Sequence, residues 1–401
     1  MTSLERGPPS SLLWQLVLQI YLAVLYAGLA VKQVEAYDLV REYSGIPFFD
    51  RWDFYGSWDN LTSGDVWWLN RDDAYSQRLA YINDAGNAVL KVDNTGNVPF
   101  NEKRNSIRIT SMDSYAVGSL WVIDLMHLPY GCSVWPAFWT KGPNWPDDGE
   151  IDIIEGINLQ ANNQMALHTT PGCMHTTPPN QMGVSGELDC STPAGCVVGE
   201  RFPNSYGPGF GENGGGVWAT QFDVSGIFIW YWSRKDVPKS IQQATSKSSL
   251  DVSDFGPPSA SYIADACNIT EFFSPQNIVI DITLCGIWAS LQNFYAPQCA
   301  SAGETGLCYN DNVVGDGSNY DNAYFEISYL RAYTTGGVAP TPTAAAFMIP
   351  TPAESTATWV QADSTEAPWH SGGAVGVNAM GGGLLWVVVV AGVSLGVRSA
   401  L

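Results

Sequence analysis

Short runs that alternate apolar and polar residues recur along this 401-residue chain and leave few folds open to it. Residues 89–93 (VLKVD), 106–110 (SIRIT), 277–283 (NIVIDIT) and 324–330 (YFEISYL) each switch at a period of two and are bounded by turn-forming residues. Such spacing sends successive side chains to opposite faces of a strand, one face toward a core and the other toward water. The expectation is an all-β chain, and about 300 residues of this kind suffice for one large sandwich with a sizeable core.

One strand-like segment does more than alternate. In residues 149–156 (GEIDIIEG) three carboxylates, Glu150, Asp152 and Glu155, fall within six residues otherwise filled by isoleucine. The β-branched isoleucines favour a strand over a helix. Strict alternation puts Glu150 and Asp152 on one face and Glu155 on the other. A β-bulge, with one extra residue set against a single partner, returns Glu155 to the shared face. Like charges held this close raise one another's pKa, so that one carboxyl stays protonated while another ionises. Glycoside cleavage with retention needs such an acid and nucleophile, with carboxyl groups roughly 5 to 5.5 Å apart. With the bulge discounted, the two glutamate backbones lie about 13 Å apart at roughly 3.3 Å per residue, and side chains leaning together close much of that gap. The structural alternative is an exposed edge strand whose charges deter pairing with another chain. Nearby tryptophans weigh against it. Residues 135–139 (WPAFW) lie about one hairpin upstream, with Trp145 in the intervening turn, and aromatic faces bind the apolar faces of sugar rings. Alternation predicts that Trp135, Ala137 and Trp139 share a face while Phe138 turns to the core.

WPAFW followed by GEIDIIEG resembles glycoside hydrolase family 16, and within it the laminarinase-like endo-1,3(4)-β-glucanases of fungi. The five-residue step between glutamates matches the bulged form of the family motif. Further matches in residues 104–108 (RNSIR), 163–169 (NQMALHT) and 285–289 (CGIWA) extend the similarity over roughly residues 37–334. The resemblance implies a concanavalin A-like jelly-roll β-sandwich, with the acidic strand on a concave sheet that lines a long groove. It implies Glu150 as nucleophile, Glu155 as general acid and then base, and Asp152 as a hydrogen-bonding partner of the nucleophile. It also implies that His168 reaches the acid/base side from a neighbouring strand, that Asn105 and Arg108 bind sugar hydroxyls, and that Trp135, Trp139 and Trp288 line the cleft. Without the family, His168 reads as a structural histidine, and Asn105 and Arg108 as ordinary polar residues of a surface strand. Ile287 departs from the family, whose members carry an aspartate there. The implied partner is a β-glucan, with no cofactor. Hydrolysis with retention leads, a cell-wall transglycosylase is the alternative, and a non-catalytic lectin on the same fold is the third reading.

Charge and cysteine content bound the setting. With 18 Lys+Arg against 39 Asp+Glu the net charge is −21, which excludes a nucleic-acid partner, since phosphate binding needs clustered cations. Eight cysteines favour disulfides, with about 105 conceivable pairings. Cys190 with Cys196, and Cys299 with Cys308, are near enough in sequence to close small loops. No C-x-x-C occurs, so no metal site is expected. Residues 1–36 read as a signal peptide, in which Arg6 precedes an apolar stretch at 12–31; an uncleaved anchor is the alternative. Residues 37–334 form the expected catalytic domain and 335–372 a Thr/Pro/Ala/Ser-rich linker. Residues 373–401 resemble a GPI-attachment signal, because the apolar run at 384–397 is shorter than the roughly twenty residues a span needs. A secreted monomer, anchored to the plasma membrane or cell wall, is expected. Asn60 and Asn268 begin N-glycosylation sequons.

Overall fold

The computed structural model describes residues 36–343, with Gln19 alone beyond them. The expected leader, most of the linker and the expected GPI tail therefore lie outside the described residues. Among the described residues no helix is long and apolar enough to cross a membrane.

The alternating runs build two large antiparallel sheets packed as a jelly-roll sandwich. One sheet has nine strands: β1 (Trp52–Phe54), β2 (Arg108–Tyr115), β3 (Val134–Lys141), β4 (Glu150–Glu155), β5 (Gln164–His168), β6 (Val184–Ser185), β7 (Cys196–Gly199), β8 (Gln276–Leu284) and β9 (Thr341–Pro342). Their order is β6-β7-β5-β4-β3-β8-β2-β1, with β9 also on β2. The second sheet has eight strands and is centred on Ser119–His127, which lies between Gly216–Asp223 and Tyr324–Thr335. Alternation divides its central strand cleanly. Trp121, Ile123 and Leu125 point into the sandwich against Phe138, Ile151, Ile153 and Ile280. Leu120 and Val122 point outward into a smaller cluster with Val237, Ile241 and Phe255. Apolar residues on both faces therefore belong to two cores, not to an exposed surface.

The strand β8 departs from expectation. Its run of alternating residues predicts one wet face, yet all nine residues are buried. Its polar side chains on the cleft side are covered by neighbours: Asp281 by Arg108 and Trp139, and Thr283 by Asp59. A third, three-stranded sheet (Ser57–Trp58, Val66–Trp68, Arg104–Ser106) closes onto β8, through the Trp68 indole and the Ser106 hydroxyl, both donating to the Ile282 carbonyl.

All eight cysteines are paired: Cys132–Cys299, Cys173–Cys267, Cys190–Cys196 and Cys285–Cys308. The small 190–196 loop closes as expected, but Cys299–Cys308 is corrected. Cys299 ends the helix Gln292–Cys299, which brings it 5.6 Å (Cα to Cα) from Cys132 before β3, while Cys308 lies 5.9 Å from Cys285 at the end of β8. Tertiary placement outweighs nearness in sequence.

Candidate active site

The bulge expected in β4 is present. Against β3, Glu155 faces Ala137, Ile154 faces Phe138 and Asp152 faces Trp139, which leaves Ile153 without a partner of its own. Against β5, Ile153 and Ile154 occupy the span that Met165 alone fills. Asn163, itself buried, fastens the irregularity from both sides. Its side-chain carbonyl accepts the Glu155 N–H at 2.9 Å, and its amide donates to the Ile153 carbonyl at 2.9 Å. These are the backbone groups an ordinary ladder would leave unsatisfied. With parity restored, the three acids face the alternate β3 residues Ala137, Trp139 and Lys141. Ile151, Ile153 and Ile154 fill the core, Asp152 is 2 % exposed, and Glu150 and Glu155 stay half-buried.

Aromatic donors secure the two glutamates. The Trp135 indole donates to Glu155 Oε1 at 2.9 Å, and the Trp145 indole donates to the Glu150 carboxylate. Trp288 meets Trp135 edge to face at 5.3 Å. Phe138 turns into the core as alternation predicts, while Trp135 and Trp139 are half-buried on the acid face.

His168 does come from the neighbouring strand, but at the other end of the acid row from the one expected. The strands β4 and β5 are antiparallel, so the last residue of β5 pairs with the first of β4. His168 therefore stands across from Glu150, and Gln164 stands across from Glu155. The His168 Nε2 lies 3.3 Å from Asp152 Oδ2, an ion-pair approach and not an aligned hydrogen bond. Glu150, Asp152 and His168 each offer one atom within 4.8 Å of the others. By residue type this set suits a cation, although paired carboxylates cleave glycosides without one.

Arg108 is 4 % exposed, and its Nη1 donates to Asp281 Oδ2 at 2.7 Å. The guanidinium is also enclosed by the rings of Tyr55, Trp68 and Trp139 at 5.0 to 5.3 Å. It forms part of the cleft floor as a fixed cation and not as an open arm. Asn105 is not gathered with the acids. It sits on the three-stranded sheet and donates to Gln77 at 2.8 Å. Two residues that sequence reasoning passed over join the site: Asn163 as the bulge clamp, and Asp281, which pairs with Arg108 and follows Ala137 in a cross-strand row that begins at Glu155. The only signal for Asp281 was a polar residue in an alternating run.

Crowding sets the electrostatics. Burial first, and then the charge of Asp152, push Glu150 up to about 8, while His168 and the Trp145 indole draw it down. Burial also raises Glu155 against the pull of the Trp135 hydrogen bond and of His168. Asp152 rises through burial and the charge of Glu155. Solvent at the open edges of the two glutamates moderates the penalty, whereas sealed Asp152 bears it in full. Burial lifts Asp281 to about 6 despite the Arg108 charge. The free site therefore holds protons at neutral pH that ordinary carboxylates release.

A model of XgeA-like catalytic domains of glycoside hydrolase family 16 matches residues 52–333. An endo-1,3(4)-β-glucanase of Emericella nidulans is 35% identical over 79% of this chain and 50% of its own length. The chain spans about half the length of the curated Aspergillus and Emericella glucanases it matches. Among solved structures, laminarinase 16A of Phanerochaete chrysosporium, holding 6-O-glucosyl-laminaritriose in its donor and acceptor sites, is similar with a TM-score of 0.68. Its identity is 30%, over 75% of this chain and 100% of that one. An elongating family 16 β-1,3-glucosyltransferase also gives a TM-score of 0.68, at 38% identity over 74% of this chain and 100% of that one. The matched span runs from the first cleft strand to the last strand of the opposite sheet, and the chain belongs to glycoside hydrolase family 16, in its XgeA-like catalytic group.

Proposed function

We propose that this chain is a retaining endo-1,3(4)-β-glucanase that cuts internal bonds of β-1,3-glucan or mixed-linkage β-glucan. The observation that carries the proposal is the bulge at Ile153, which returns Glu155 to the face of Glu150 and sets it on the Trp135 indole. Glu155 donates its proton to the glycosidic oxygen as the bond to the anomeric carbon breaks. The ionised Glu150 attacks that carbon from the opposite face and forms a glycosyl ester. Glu155, now ionised, takes a proton from water, and the resulting hydroxide displaces Glu150 with net retention. Asp152, between them on the same face and beside His168, orients Glu150 through a side-chain hydrogen bond. Trp135, Trp139 and Trp288 present ring faces to the sugars. Incubation with laminarin and with lichenan, following reducing ends and product anomer, tests this. A folded protein that released no reducing ends from either, or that inverted the anomer, would sink it.

Transfer to a sugar acceptor in place of water is a second reading, favoured by the 38% identity to the elongating glucosyltransferase. It predicts redistribution of chain length under excess acceptor without net new reducing ends. The proposed catalytic unit is residues 37–334, delivered by the leader to the cell exterior and held there by the GPI-type tail. Complete pairing of the cysteines supports an oxidising compartment.

A further inference from the structure

Away from the acids, two tryptophans stand in solvent side by side. The three-stranded sheet sets Trp58 directly against Trp67, and Trp67 against Asn105. Residues opposed in this way share a face. The alternate positions are used inward: Val66, Trp68, Arg104 and Ser106 are buried, whereas Trp58 is 46% and Trp67 44% exposed. The Lys103 ammonium lies 6.0 Å from the Trp58 ring, and Asn105 with Gln77 borders the other end of the row. A contiguous apolar surface rimmed by polar groups is the form a binding face takes.

This row continues the cleft. The cross-strand series Glu155, Ala137, Asp281, Arg108 places Arg108 three strands from the acid, about 14 Å at roughly 4.8 Å per strand. Tyr55 follows, with its ring over the Arg108 guanidinium and its hydroxyl donating to Asn60 at 2.6 Å. Trp58 comes three residues later. The loop 59–65, which joins the strand of Trp58 to that of Trp67, is rigid, because buried Asp59 accepts the Leu61, Thr62 and Gly64 N–H groups and the Thr283 hydroxyl. A surface fixed before binding loses little entropy on capture.

We propose that Trp58 and Trp67 form a second β-glucan-binding platform that holds the polymer where it leaves the cleft past Tyr55. The apolar faces of successive glucose units stack on the two indoles, and Lys103 and Asn105 meet their hydroxyls. The ligand class rests on the glucanase reading; the platform itself rests on the exposed row and its continuity with Arg108.

In the full chain, Trp58→Ala/Trp67→Ala should raise KM for laminarin about tenfold, as loss of well-placed aromatic contacts does, with kcat unchanged. Activity on laminaritriose, too short to reach the platform from Glu155, should not move. Trp58→Phe/Trp67→Phe should recover much of the laminarin KM. Retention on insoluble β-1,3-glucan, measured with Glu150→Gln added to stop turnover, should fall in step. An unchanged laminarin KM in the alanine variant overturns the proposal. So does an equal loss on laminaritriose, which would make the rings part of the cleft's own framework. A wild-type dimer in sedimentation that the alanine variant abolishes would also overturn it, assigning the row to contact between copies. If the wild type cut neither substrate, the glucanase reading would fall, while retention on insoluble glucan would still decide the platform.

Discussion

Each acid in the row has a different environment: Glu150 is raised to about 8 and Glu155 to about 7, so the proposed reactive form, Glu150 ionised and Glu155 protonated, is the less populated of the two singly protonated forms. Glu150 has the Trp145 indole and His168 near it, and Glu155 has the Trp135 indole. The proposed mechanism requires Glu150 ionised and Glu155 protonated, so activity is lost on the acid side as the pair gains a second proton and on the alkaline side as it gives up its last. Both carboxyls are raised, so both limbs of the kcat/KM profile should lie above the 4.5 of an ordinary glutamate. A profile centred near pH 4 would contradict the environment described.

Stability carries the opposite signature. Below pH 4.5 Glu150 is protonated whether the chain is folded or not. Between 4.5 and about 8 the unfolded chain ionises first, so folding is penalised increasingly as pH rises. Glu150→Gln should therefore resist urea better than wild type at pH 8 and equally at pH 4, while the proposed mechanism makes it inactive. Glu155→Ala should keep turnover on substrates with good leaving groups, and azide should raise it further; indifference to azide would reverse the roles. At this scale the acids were legible because their types and spacing are local. Arg108 was legible in position but not in state, since the carboxylate that engages it lies 173 residues away.

At the scale of the element, the bulge is the device on which the site depends, and Asn163 holds it. Asn163→Ala strands the Glu155 N–H and the Ile153 carbonyl inside the sheet, at a cost of about 2 to 4 kcal/mol in all. It should also lower kcat about a hundredfold through displacement of the acid, with KM little changed. Urea melts and steady-state kinetics on laminarin read the two effects separately. An intact kcat would mean that the bulge holds its shape without the clamp. The bulge could be read from the sequence because Ile153-Ile154 breaks the parity of an otherwise alternating strand. Its clamp could not, because an asparagine eight residues on gives no sign of which strand it will face. The direction of β5 likewise decides that His168 attends Glu150, a choice that spacing alone leaves open.

At the scale of the molecule, two apolar clusters and four disulfides hold the sheets in register. Alternation made the all-β class evident, and the family resemblance supplied the jelly roll. The order β3-β8-β2 was hidden, since β8 enters the sheet from more than a hundred residues downstream. Cys173–Cys267 spans 94 residues, and Cys173→Ser/Cys267→Ser should cost about 4 kcal/mol by freeing a loop of that size in the unfolded chain. The urea midpoint and slope together measure it, the slope rising as the freed unfolded chain exposes more surface.

The segment between β8 and Cys308 bears Trp288 and is tied at both ends of its helical part, by Cys285–Cys308 to its own stem and by Cys132–Cys299 to the loop before β3. Trp288 is thereby held against Trp135 by two covalent ties, and the cleft wall that the two rings form keeps its shape through them. Mild thiol treatment that opens these two bridges should broaden the distribution of fragment lengths while the sandwich still melts as one unit. The sulfur bonds would then govern the size of what is released as well as the survival of the fold.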